Sequence, residues 1–269
     1  MTNAIAQDIL DMELETLDRC AVDLNFDGIY ENILKGCYVN CFEFSVFSHK
    51  LEQNNHAYFA APVLRGICED FISLSYLKRK KTRIERDELL KNQMLSLVFD
   101  AANKQQAFFK KRREFQPTYS GALKTKPQTG KLPSTRDMAA AVALEDIYDF
   151  MYAVTSDIVH FNPRIIMRNA WGKDEKHFSH SVNNFDNYYT DFCRAYGIFF
   201  LCLFARAFQS DFSFSSSYMK AIGKLDAWLD EKLRWPEAVT FEEMNVEGPT
   251  EVMRILMKMA AQSSNRKDG

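Results

Sequence analysis

Four polar side chains spaced four residues apart, Tyr148, Tyr152, Ser156 and His160, stand in an otherwise apolar stretch. That interval puts neighbours on one face of a helix. An imidazole titrates near neutral pH and can serve as general acid or base. A helix C-terminus beside His160 would favour its protonated form. Ser156 has the hydroxyl of a nucleophile, one turn before His160, although no segment of the chain supplies an oxyanion hole. A second pair with the same spacing, Arg65 and Glu69, lies on an earlier apolar stretch. A guanidinium in such surroundings needs a carboxylate partner, so Glu69 can orient either Arg65 or His160. These residues define an expected two-helix polar centre of Arg65, Glu69, Tyr152, Ser156 and His160. It can be read as catalytic. It can also be read as a buried hydrogen-bonded network that fixes helix register.

The elements that must carry this centre are helical throughout. Few glycines (10) and prolines (7) but 22 phenylalanines favour long packed helices over a many-stranded sheet. Apolar periodicity predicts helices over 3–24, 29–52, 58–80, 82–115, 135–144, 145–161, 188–209 and 215–233, with a short one over 249–261. The helix over 58–80 is apolar nearly all round and should be central. Ser134 is an expected N-cap, with Asp137 in the first turn. Pro163 is expected to end the helix that carries His160. The stretch 116–133, with three prolines and two glycines, reads as a loop, as does 168–187. The expected fold is all-α, a single domain of about eight to ten helices over 1–262, with a mobile loop at 116–133 and a disordered tail at 263–269.

Composition narrows the function classes. A net charge of −2 across 269 residues excludes a chain that binds nucleic acid by overall charge. The six cysteines form no C-x-x-C pair and lie in apolar stretches, which reads as reduced core thiols of a cytoplasmic protein. Cys37 and Cys41 share a face, but zinc needs two more ligands. His177 and His180 form a weak loop pair that reads as solvated. No metal and no cofactor is expected. The N-terminus, with Asp8, Asp11, Glu13 and Glu15, does not resemble a secretory signal. The most apolar run, 195–205 between Arg194 and Arg206, is too short for a bilayer, which takes about twenty residues, so no membrane partner is expected.

The charge is uneven nonetheless. Lys78, Arg79, Lys80 and Lys81 form one cluster, with Arg83 and Arg86 beyond it. Lys110, Lys111, Arg112 and Arg113 form another, followed by Lys124, Lys126 and Lys131. Together they make a candidate phosphate-contacting surface. Both clusters also sit at predicted helix C-termini, where the helix dipole alone favours cations. No zinc finger, aromatic RNP-type motif or glycine-rich phosphate loop accompanies them.

The stretch 132–162 resembles the hallmark of an uncharacterised all-helical bacterial family of unknown function (DUF5677-like). Its Ser-x-Arg-x-Met-Ala opening matches Ser134, Arg136, Met138 and Ala139. Its Tyr-x3-Tyr-x3-Ser-x3-His run matches Tyr148, Tyr152, Ser156 and His160, and its Arg-x3-Glu pair matches Arg65 and Glu69. The resemblance implies the fold and the location of the site, and it brings no reaction. The architecture is more distantly similar to HEPN-type helical domains of bacterial toxins and phage-defence systems, many of them metal-independent ribonucleases. Their Arg followed four to six residues later by His is missing here.

Two functions follow as expectations. The first is an RNA-directed effector of bacterial stress or phage defence, with His160 as acid/base, Arg65 stabilising phosphate charge and the basic helix ends holding the backbone. The second is a non-catalytic module that binds a small ligand or a partner protein. A homo-oligomer built on the Phe-rich helices is a further possibility.

Overall fold

The helix richest in large apolar side chains lies at the centre of the molecule. In the computed structural model, which describes residues 2–21, 28–51, 56–110, 131–169, 181–231 and 235–239, that helix is α10 (Asp186–Ala207). It packs most extensively against α3 (Ile29–Lys50), then against α12 (Ser216–Asp230). Gly197 sets the α10–α3 distance, because a β-carbon there would lie 3.3 Å from the Phe44 ring. The core runs through Tyr38, Phe42, Phe71, Phe192, Phe200, Phe204 and Phe208, all buried. Their rings meet edge-on or tilted, as with Phe71 and Phe204 at 5.1 Å and Tyr38 and Phe212 at 4.7 Å. Such geometries suit the aromatic quadrupole.

α1 (Thr2–Asp11) and α2 (Glu13–Arg19) take the place of one expected N-terminal helix, with buried Met12 between them. α4 (Ala57–Ala60) and α5 (Val63–Lys80) likewise split the expected 58–80 helix. Pro62 lacks the N–H that would continue the ladder and becomes the residue that starts α5. α6 (Arg83–Lys110) opens with a capping box: the Thr82 backbone N–H donates to the Glu85 carboxylate at 2.8 Å, and Glu85 N–H donates back to Thr82 Oγ1 at 3.3 Å. The Thr82 N–H and hydroxyl both donate to the Glu85 carboxylate, and they hold it below its ordinary range. α6 packs on α3 with its first half, and residues 101–108 are exposed.

α7 (Thr135–Val142) starts where Ser134 Oγ accepts the Asp137 N–H, and it ends at Ala143 in the left-handed region with φ 59°. α8 (Glu145–Val159) follows after one residue more. It stops short of the expected 161. Pro163 then begins a new helix, α9 (Pro163–Arg168), as the first-turn position of a proline permits. Of the expected 168–187 loop, the described residues include Arg168 at the end of α9 and a 3-10 turn, Val182–Phe185, and α10 begins two residues early at Asp186. The Asp186 carboxylate accepts the N–H of Ala57, tying α10 to α4. α11 (Gln209–Phe212) leads to α12, which Ser215 caps by accepting the Tyr218 N–H. Among the described residues there is no strand. No described helix is long and apolar enough to cross a membrane. Arg194, at the edge of the apolar 195–205 run, is buried and donates to the carbonyls of Ser48 and His49 at the C-terminus of α3. There it complements the negative end of that helix's dipole. The 249–261 helix, the 263–269 tail, residues 116–130 of the loop and the His177/His180 pair lie outside the described residues.

Candidate functional site

α8 runs antiparallel to α5. Arg65, near the start of α5, reaches Ser156 near the end of α8, while Arg79, near the end of α5, donates to the Val142 carbonyl just before α8. The two four-residue stripes therefore face each other along their length. Arg65 Nε donates to Glu69 Oε1 at 2.9 Å, and Arg65 Nη1 donates to Ser156 Oγ at 3.4 Å. The guanidinium lies 4.4 Å from the centroid of the Tyr152 ring, a cation–π distance. Tyr148 extends the row, its ring 5.4 Å from that of Tyr152 and tilted by 38°.

Four of the five expected centre residues thus meet: Arg65, Glu69, Tyr152 and Ser156. They meet at the surface. The side chains of Arg65 and Glu69 keep 31% and 37% of their exposure, and Tyr152 keeps 40%. The cluster is accordingly open to water on one side, unlike the buried network that the apolar flanks suggest. The hydrogen bond to Glu69 strengthens the hold of Arg65 on its proton, and burial pushes the Tyr148 phenol up. A guanidinium has five N–H donors. Glu69 and Ser156 take one each, through Nε and Nη1.

His160 is not part of this cluster. α8 ends at Val159, and His160 has an extended backbone (φ −101°, ψ 163°) while its N–H still bonds the Ser156 carbonyl at 3.0 Å. Once the backbone leaves the helix, the four-residue interval no longer keeps a side chain on the stripe. The imidazole is exposed and has no hydrogen-bond or ion-pair partner among the described residues. Arg164, the other arginine near it, pairs with Asp157 and donates to the Ala238 carbonyl at 3.1 Å.

The basic clusters divide in the same way between helix ends and solvent. Lys78 pairs with Asp211 at 2.6 Å, donates to the Ala207 carbonyl at 2.9 Å and lies 5.0 Å from the Phe208 ring centroid. Arg79 serves the end of α7 through Val142, at 2.9 Å. Both cations satisfy carbonyls left open at the C-termini of neighbouring helices. Lys80 is exposed and Lys81 half-buried. Lys110 ends α6, and Lys111, Arg112 and Arg113 lie outside the described residues.

One polar network has no trace in the motifs. Thr16 Oγ1 lies 2.8 Å from the Tyr218 hydroxyl, which lies 2.6 Å from that of Tyr38. All three residues are buried, on α2, α12 and α3. Burial pushes the phenols of Tyr38 and Tyr218 well up. The six cysteines are free thiols, five of them buried. Among the described residues, no group of three His, Cys, Asp or Glu side chains could hold a metal ion.

No curated protein and no solved structure matches the chain. A model described as "Family of unknown function (DUF5677)" matches residues 31–178, more than half of the chain. The matched span holds both stripes, with the whole Arg65 cluster and His160, and leaves out Thr16 and Tyr218. The chain belongs to the DUF5677 family.

Proposed function

We propose that this protein is a non-catalytic binding module in which Arg65 recognises an anionic group on a small ligand or partner protein. One observation carries the reading: a guanidinium is held in place by Glu69, Ser156 and the Tyr152 ring while staying about a third exposed. Fixing a long cation in advance lowers the entropy lost on binding. The Nη edge that remains suits a bidentate carboxylate or phosphate, and Arg and Tyr are the side chains enriched where binding energy concentrates. Catalysis by this cluster would need an acid or base within hydrogen-bond reach, and His160 stands outside it. Free thiols suit a reducing compartment, so the module is assigned to the cytoplasm. The test is a thermal-shift titration with inorganic phosphate and with succinate. Either anion should raise the melting temperature of the wild type, and the rise should vanish in Arg65→Gln. No rise with either anion defeats the reading.

A second reading, an RNA-directed effector of bacterial stress or phage defence, draws on a separate observation. His160 is exposed, one turn beyond Ser156 on the same chain segment. Here His160 is the acid/base, Arg65 stabilises the phosphate charge, and Lys80 and Lys81 contact the backbone. RNA incubated with wild type and with His160→Ala decides it: cleavage only by the wild type supports it, and intact RNA in both removes it.

A further inference from the structure

The opposite flank of α5 has a different character. There α5 and α3 leave an open groove with Phe44 and Ile67 as its buried floor and Phe47 and Val63 on its walls. Phe47 is 45% exposed and Val63 is 50% exposed. Among the described residues the remaining polar lining is Asn40 with two carboxylates, Glu43 and Asp70, and no cation. The groove extends from Val63 to Asp70, about 10 Å of helix at 1.5 Å per residue. That length accepts two turns of a helical ligand and its i, i+3/i+4, i+7 anchors.

Gly66 forms part of the wall, in the interior of α5. A mid-helix glycine costs about 1 kcal/mol relative to alanine. Beyond its own helix backbone, no atom of the described residues lies within 4 Å of where its β-carbon would be, so packing among the described residues does not require it. What its bare backbone does provide is depth in the groove. Asp70 is partly buried, which pushes its carboxyl up. A carboxylate short of water gains from a cation brought beside it. Across the ridge formed by Glu43 and Phe47 lies a second depression, between α2 and α3, lined by Glu13, Leu17, Val46 and Lys50. The apolar surface is therefore continuous over α3, and carboxylates outnumber cations along it.

We infer that the α3–α5 groove is a docking site for a basic amphipathic helix of a partner protein, its apolar stripe over Phe47, Gly66 and Val63 and its lysines or arginines against Glu43 and Asp70. Charge selects this occupant. A second copy presenting the same face would set Glu43 and Asp70 against their own counterparts, and nucleic acid or an anionic membrane would meet the same repulsion.

The probe is a synthetic 14-residue helical peptide with leucine at i, i+3, i+4 and i+7 and lysine on its flanks, compared with a version carrying glutamate for lysine. Binding is followed by fluorescence anisotropy with the full chain. The lysine peptide should bind the wild type and the glutamate peptide should not. Gly66→Gln adds a side chain into open space and improves helix propensity, so it should keep the circular-dichroism melt and weaken the lysine peptide by about tenfold or more. Glu43→Lys, an exposed charge reversal, should weaken it similarly. Failure of the wild type to bind, or equal binding by folded Gly66→Gln, overturns the inference. A wild-type dimer that Gly66→Gln dissolves gives the groove to a second copy and overturns it too.

Discussion

Two polar networks hold helices together in this protein, and they differ in what surrounds them. Thr16, Tyr218 and Tyr38 link three hydroxyls in the dry core, and each residue is at most 2% exposed. Arg65, Glu69, Tyr152 and Ser156 link two helices at the surface, where Arg65, Glu69 and Tyr152 keep between 31% and 40% exposure. In the core, a hydroxyl without a partner has no water to turn to, so the network contributes mainly through what its loss would leave unsatisfied. At the surface water replaces any lost partner, and an exposed ion pair contributes little to stability. A cluster that adds little to stability while holding an arginine in one geometry is better explained by what it can bind. The contrast extends along α5 itself, whose α8 flank is polar and carries Arg65, and whose α3 flank is apolar and bordered by acids.

The largest separation between the two regions is expected in alkali. Burial pushes the thiols of Cys68 and Cys202 to about 12 and that of Cys20 to about 11, from 9.0, and raises the phenols of Tyr38 and Tyr218. These groups stay protonated in the folded chain while the unfolded chain ionises near its ordinary values. Their stabilising contribution is complete below pH 9 and is lost as pH rises toward 12. Each thiol removes about 1.4 kcal/mol per pH unit inside that window. Urea unfolding at pH 8 and at pH 10.5 should show a loss of several kcal/mol. Equal midpoints would mean that the thiols are solvated.

Single substitutions come next. Tyr218→Phe orphans the hydroxyls of Thr16 and Tyr38 together and should cost about 2–4 kcal/mol in urea unfolding. Arg65→Ala removes a partly exposed ion pair and a cation–π contact and should cost about 1 kcal/mol. If Arg65→Ala were the more damaging of the two, the surface cluster would be a structural staple and the recognition reading would fail. The smallest effect is expected from salt. One molar sodium chloride should lower the stability difference between wild type and Arg65→Ala by a few tenths of a kcal/mol through screening. It should leave the Tyr218→Phe difference unchanged, since no charge is involved.

The surface cluster was readable in the chain because its spacing is local. Two i, i+4 stripes, Arg65 with Glu69 and Tyr148 with Tyr152 and Ser156, announce themselves within a few turns, and antiparallel packing of α5 on α8 brings them together. His160 continues the same interval in sequence and still leaves the cluster, because spacing has meaning only while the backbone remains helical. The Ser134 cap and the start of α6 were readable for the same local reason. The Thr16–Tyr218–Tyr38 chain was not, because its members lie 202 and 180 residues apart and nothing in their neighbours distinguishes them from other core positions. Lys78 and Arg79 look like a basic patch in sequence, and only the arrival of α10 and α7 beside them turns them into caps.

By itself, then, the sequence determined the helical class, most helix starts and the two polar stripes, while the centre expected at 58–80 fell to α10. These depend on propensity, capping and period, each set within one or two turns. Tertiary structure alone decided that the stripes meet at the surface, that His160 stands apart, and that Gly66 opens onto a groove. Exposure belongs to the packing of whole helices, and no local rule states which flank of a helix its neighbours leave uncovered.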